Sequence, residues 1–313
     1  MTLVHTLQRA LMRGRLWYVL VALAVCLVVG AAGGAAVALL TPVYAAALAV
    51  GTAGGLLMLR SRRFTLAVIV AIICLLPFAS LPLNVGFSPT FLNLALGVIF
   101  FVWAVRAATG RQEPWASSPV SPAVAVFLLL TFGTFIAGLS HAALSATSLR
   151  QFIEIPLGIA IFFALLNNVR TKKDVEQLTL WLILGGTAAA AIGIVLYFVP
   201  QSLAIRLLSA LGRFRYPSGA GVLRFVEDNP GLPMRAISTS VDPNVLGALL
   251  VLTMGLTAPH LVASRPFVRR RWLALGMAIS GVCLILTYSR GSLAGLVAGL
   301  GLLGLVGRYR RWL

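Results

Sequence analysis

Acidic residues are almost missing from this chain: 7 Asp plus Glu stand among 313 residues, and charged residues of both signs make up only 10%. A soluble domain is about 25% charged and roughly 45 to 50% apolar. Here 60% of the residues are hydrophobic and the mean hydropathy is +0.99, which excludes a soluble globular protein. With so few carboxylates there is no acidic triad for a metal, and no HExxH, GxSxG or phosphate-loop pattern occurs. A nucleotide- or metal-dependent enzyme is therefore not indicated, and no cofactor is expected. Cysteine is scarce as well. Cys26, Cys74 and Cys283 lie inside apolar runs without CxxC or Cys/His spacing, which argues against a disulfide framework or a zinc site.

What the chain does have is apolar length. A bilayer-spanning helix needs about 20 mostly apolar residues, so a chain of this size has room for on the order of ten spans with short connections. Ten apolar segments are bounded by charge or by Pro, Gly and Ser clusters: 16–40, 43–59, 64–80, 90–106, 120–140, 152–169, 177–199, 242–263, 272–288 and 292–307. The first follows Arg9, Arg13 and Arg15 and could be mistaken for a secretory signal. Its length, well beyond the roughly 7 to 15 residues of a signal core, makes it the first spanning helix. The expected fold is all-α: a polytopic membrane helix bundle of about ten helices, one domain over 1–313.

The excess of 25 Lys plus Arg, a formal charge of +18, would suggest nucleic acid in a soluble protein. In a membrane protein basic residues first mark the cytoplasmic loops. With the N-terminus inside, the clusters at 9–15, 60–63, 106–111, 170–173, 265–271 and 308–311 all fall on the cytoplasmic face. Only Arg150, Arg206, Arg213, Arg215, Arg224, Arg235 and Arg290 remain outside. This bias fits ten helices with both termini in the cytoplasm, and one missed helix would scramble it. No nucleic-acid partner is expected.

The one long connection, 200–241, lies on the outer face and carries five of those outer arginines, a charge that topology does not ask for. Residues 203–211 read as a short amphipathic helix at the interface, and 216–233, broken by prolines and glycines, as irregular structure. The loop leads into RAISTSVDPN, residues 235–244, where Asp242 followed by Pro243 reads as a helix cap with proline in the first turn. The amides of that helix end, with Ser238, Thr239, Ser240 and Arg235 nearby, would form an anion site, the alternative being a plain cap. A second segment, TYSRG at 287–291, places Arg290 between two apolar runs with Gly291 permitting a break. A snorkelling arginine is the alternative there. Arg235, the Asp242 helix end and Arg290 converge on the outer face. Guanidinium forks suit phosphate, so the physical reading is an anionic substrate at the outer leaflet, a pyrophosphate-linked lipid fitting well. Glu154 reads as an ion-pair partner of Arg150 four residues earlier, Glu227 and Asp228 as a solvated turn, and His141 and His260 as interfacial.

The stretches LLNNVRTKKDVEQL, RAISTSVDPNVLGALLVL and LTYSRGSLAGLVAGL, in this order, resemble the O-antigen ligase and polymerase superfamily of bacterial membrane glycosyltransferases. A weaker hydrophobic likeness covers most of 60–310. Arg235 matches the arginine before that family's Asn/Asp-Pro-Asn helix start, and Arg290 the arginine of its Ser-Arg-Gly motif. The resemblance implies metal-independent transfer of a glycan from an undecaprenyl-pyrophosphate donor to an acceptor hydroxyl on lipid A core, growing polysaccharide or protein, at the outer face of the bacterial inner membrane. It assigns the transition-state role to Arg235 and Arg290, with Ser289, Asp242, Asn244, Arg215 and Arg224 as substrate-binding residues. Members continue past the Ser-Arg-Gly helix into a large outer loop with a histidine proposed as base, whereas this chain stops at Leu313. The expectation is thus a truncated or split ligase-like protein, completed by a second polypeptide, served by Glu154, Glu227 or Asp228 instead, or inactive. Two other readings stand beside it: a permease for an amphipathic anion, and an inactive donor-binding membrane subunit.

Overall fold

The computed structural model describes residues 42–80, 90–108, 116, 118–141 and 144–306. The expected first span, 16–40, lies outside the described residues. The chain divides into two units, 1–60 and 61–313. In the first, helix α1 (Pro42–Arg60) matches the second apolar segment, and Leu56 and Leu57 on it are exposed.

In the second unit every regular element among the described residues is helical, joined by turns and two isolated bridges. The helices are α2 (Arg62–Leu75), α3 (Phe91–Ala108), α4 (Ser121–Gly138), α5 (Ala146–Asn168), α6 (Lys172–Phe198), the short α7 (Gln201–Ser209), α8 (Pro243–Val262), α9 (Arg270–Leu286) and α10 (Arg290–Val306). Four stretches, Ser121–Gly138, Gln151–Asn168, Lys172–Phe198 and Pro243–Val262, are long and apolar enough to cross a membrane. Helix α4 buries no side chain, and Leu129, Leu130 and Ile136 on it are more than 60% exposed, a surface suited to lipid chains rather than water.

Local chemistry starts several helices where the sequence changes from polar to apolar. Ser61 and Ser145 cap α2 and α5 through their hydroxyls. Thr171 and Asp174 form a reciprocal capping box that opens α6 directly after Arg170. Arg63 of α2 reaches Asp174 at 3.6 Å, which ties the starts of α2 and α6 on one side of the bundle.

The core is centred on α6, which packs against α2, α8 and α9, while α8 packs on α9 and α10. Ala189, Ala190, Leu246, Leu250, Met254, Cys283 and Leu284 form its tightest part. Small residues set the spacing, because in lipid the helices gain from close backbone approach and dispersion contacts rather than from excluding water. A Cβ on Gly193 would come within 2.9 Å of the Cys283 sulfur, and one on Gly186 would collide with the Thr253 hydroxyl. Gly186→Ala is therefore expected to cost about 1–3 kcal/mol by overpacking, measured as a lower melting temperature in detergent. Adding Thr253→Ala should restore part of the loss; an unchanged melt for the single variant would contradict this packing.

The long loop differs from its expected form in one respect. Helix α7 and the 3-10 turn Ala210–Phe214 cover the predicted amphipathic stretch, but one side of α7 packs on protein. Ala204 and Leu208 are buried in a second core with Ala79, Leu196, Tyr216, Val222 and Ile237, leaving Leu203 and Leu207 exposed on the other side. The irregular segment 216–233 is likewise folded onto that core. Val222 is fully buried, and an isolated bridge pairs Phe225 with Met234.

Candidate functional site

Arg235 is placed by backbone on both sides. Its N–H donates to the Arg224 carbonyl at 2.8 Å, and the next amide, Ala236 N–H, donates to the Leu286 carbonyl at 2.8 Å. The loop is thereby sewn to the end of α9. The half-buried Arg235 side chain then donates through Nε to the Thr287 carbonyl at 2.7 Å and through Nη2 to Asn244 Oδ1 at 3.0 Å. A guanidinium carries five N–H donors, so this clamp leaves three for a ligand.

Asn244 joins the two motifs. Its Oδ1 also accepts the Ser289 hydroxyl at 3.2 Å, and Ser289 Oγ lies 2.9 Å from Ser292 Oγ. The approach is tight because residue 247, one turn along α8, is glycine: a Cβ there would strike the Ser292 side chain. Asn244, Arg235 and Ser289 therefore form one hydrogen-bonded group, with Arg290 the next residue along.

The two helix ends at this point differ. The Asp242 carboxylate accepts the Asn244 and Val245 amides at 2.7 and 3.1 Å, so the α8 end is already occupied by an anion of the chain itself. The Ser240 hydroxyl donates to the Ile237 and Asp242 carbonyls, and Ser238 is buried. The α8 end is therefore not open in the way that the sequence suggested. Among the described residues no side chain caps the first amides of α10, and the exposed Arg290 stands at its first position with no polar partner. A cation there is opposed by the helix dipole until an anion binds beside it.

Backbone strain collects around this region. Ser238, Val241 and Tyr288 have φ of 51°, 54° and 51°, and Arg215 has 62°. A β-branched valine in the left-handed region is a steric outlier, and such conformations cost on the order of 1–3 kcal/mol each. They persist where surrounding packing imposes them, and such positions concentrate at binding sites.

Beside Asp242 opens a cavity of about 450 Å³, with Arg215 and Arg224 from the loop and Ser240 and Val241 from the segment before α8. Its far wall is Phe78, Ser80 and Pro217. The Ser80 N–H donates to the Phe214 carbonyl at 3.0 Å, and the Phe78 N–H donates to the hydroxyl of Tyr216 at 3.3 Å, which fixes the end of α2 against the loop. Burial pushes the Tyr216 phenol above its ordinary pKa, so it stays neutral and able to hold Phe78 through the physiological range.

Searches against protein-family profiles, curated proteins and solved structures find no match for this chain. The site therefore stands on its own geometry.

All seven residues singled out from the sequence lie in two adjoining places. Arg235, Asn244 and Ser289 share one set of hydrogen bonds, with Arg290 the next residue along the chain; Arg215 and Arg224 line the cavity with Asp242. Glu227 and Asp228 are exposed in a 3-10 turn and do not line the cavity. Glu154 is exposed on α5, and the side chain of Arg150, its expected partner, lies outside the described ones. His141 is exposed, its Nδ1 2.9 Å from Ser140 Oγ, and His260 meets the ring of Phe267 edge-on. Phe78, Ser80 and Pro217 carried no sequence signal, since no motif marks them. The Thr287 carbonyl that holds Arg235 is a backbone atom and has no residue code to read.

Proposed function

We propose that the chain binds an undecaprenyl-pyrophosphate-linked glycan at this arginine group and takes part in transferring the glycan to an acceptor hydroxyl on the outer face of the bacterial inner membrane. One observation carries the reading: Arg235, held by Thr287 and Asn244, stands next to the uncapped, Arg290-bearing start of α10. A held guanidinium beside a helix start that carries a second arginine suits a pyrophosphate, and the lipid tail has apolar helices to lie along.

In this reading ten spans place both termini in the cytoplasm, and the basic clusters at 60–63, 170–173 and 265–271 face it. The chemistry asked of the site is electrostatic. As the bond between the anomeric carbon and the pyrophosphate oxygen breaks, negative charge grows on the leaving lipid pyrophosphate. Arg235, Arg290 and the α10 amides stabilise that charge more in the transition state than in the bound donor. The acceptor hydroxyl loses its proton to a base. Glu227 and Asp228 are not among the described residues that line the cavity; Glu154 or a second polypeptide stands beside them as a source of the base.

The test is reconstitution of the full chain in proteoliposomes with an undecaprenyl-pyrophosphate oligosaccharide and a glycan acceptor, following release of undecaprenyl pyrophosphate. Release that depends on acceptor supports transfer. Movement of the donor across the bilayer without release would favour the permease reading, and binding without either would favour a donor-holding subunit.

A further inference from the structure

We infer that the ring of Tyr288 is a platform on which the donor's first sugar stacks, so that the site recognises a pyranose ring beside the pyrophosphate and not the pyrophosphate alone. The inference rests on the donor reading and adds how that donor's sugar is held.

Tyr288 occupies a backbone position that does not favour tyrosine. Helix α9 ends at Leu286, and Tyr288, two residues on, has φ of 51°. Glycine is the usual residue where a helix closes in the left-handed region, because a Cβ is crowded there. A bulky side chain at such a φ is strained. The turn by itself would form with glycine, so the ring is kept for something that the turn does not need.

The ring is held at both ends and is still open. Its hydroxyl hydrogen-bonds that of Tyr197 near the end of α6, and the Tyr197 ring packs edge-on against Phe198 at 5.2 Å. The Tyr288 N–H donates to the Ile285 carbonyl at 3.1 Å, and the next amide, Ser289 N–H, donates to the Thr287 hydroxyl at 3.2 Å. Even so, Tyr288 is 44% exposed. A tyrosine that only marks a membrane interface turns its hydroxyl to water or headgroups and needs no strained backbone. Here the hydroxyl is committed to Tyr197, so what the residue offers is its ring.

Its place in the chain points to the occupant. Tyr288 lies between Thr287, whose carbonyl accepts the Arg235 Nε–H, and Ser289, whose hydroxyl donates to Asn244. The first sugar of the donor is bonded to the pyrophosphate and so comes next to whatever holds that anion. A pyranose with equatorial hydroxyls presents axial C–H bonds, weakly positive, to the negative face of an aromatic ring. A ring already fixed loses little freedom when the sugar covers it.

The experiment compares undecaprenyl pyrophosphate with undecaprenyl-pyrophosphate glucose, both titrated onto the full chain in lipid nanodiscs. In the parent protein the sugar should tighten binding by roughly twofold to tenfold, the worth of one aromatic stack. Glycine and asparagine both suit a positive φ, so Tyr288→Gly and Tyr288→Asn remove the ring without straining the turn, and in both the gain from the sugar should disappear. Tyr288→Phe, which keeps the ring, should keep most of it. A thermal melt checks that each variant is folded. A gain that survives in both ring-less variants overturns the platform, and so does a parent protein that binds the two ligands alike; in either case the pyrophosphate is still bound and the donor reading stands. A gain lost in Tyr288→Phe as well assigns the effect to the hydroxyl and also overturns the platform. If neither ligand binds the parent protein, both readings fall.

Discussion

Replacing Arg235 or Arg290 by alanine is expected to lower glycan transfer by roughly 10²–10³-fold, the usual loss when a donor aimed at developing negative charge is removed. The two variants should separate in stability. Arg235 satisfies the carbonyl of the buried Thr287 and also bonds the exposed Asn244 amide oxygen, and leaving a buried acceptor without its partner costs about 1–3 kcal/mol. Arg235→Ala should therefore also lower the melting temperature. Arg290 is exposed without a polar partner among the described residues, so Arg290→Ala should leave the melt unchanged. Arg235→Lys should rescue little, because one ammonium on a flexible stem does not reproduce a planar fork across two fixed acceptors. Transfer assays paired with thermal melts in detergent check all three. Full transfer by both alanine variants would sink the assignment.

The second effect is expected at Asn244, where the chemistry requires an amide and not an acid. Asn244→Asp keeps an oxygen in place for Arg235 and Ser289 and is nearly the same size. It also sets a full negative charge about 3 Å from Arg235, the present distance to Oδ1 being 3.0 Å. An ion pair at an exposed position is worth about 0.2–1 kcal/mol, and that attraction competes directly with a phosphate. Donor binding should weaken by roughly twofold to fivefold while the melting temperature holds or rises. Asn244→Leu should do the reverse in stability, lowering the melt because Arg235 and Ser289 lose their acceptor. If Asn244→Asp bound donor as tightly as the parent, the guanidinium would not be the anion contact.

The helices were legible in the sequence because apolar length is a sum over neighbours. Segments 120–140, 177–199 and 242–263 reappear as α4, α6 and α8 with ends moved by a few residues, since Thr171 with Asp174, and Asp242 with Pro243, mark their starts. The role of Asp242 was legible only in part. The residues predict a capped helix, which is found, but also an open anion end, which the carboxylate itself fills. Nor did periodicity show that α7 buries Ala204 and Leu208 against the loop core, because an amphipathic stretch reads alike whether its apolar face meets lipid or protein.

By itself the sequence determined the all-helical, membrane-suited character of the chain and the short list of arginines that topology leaves unexplained, because composition and segment length are local properties. Tertiary structure alone decided that residues 235, 244 and 289 share one set of hydrogen bonds, that the Asp242 carboxylate fills the α8 end, and that Phe78 and Ser80 meet Arg215 and Arg224 across a cavity. The reason is physical. These relations depend on backbone carbonyls, on glycines 186, 193 and 247 letting helices approach, and on contacts between residues more than a hundred positions apart, none of which leaves a pattern along the chain.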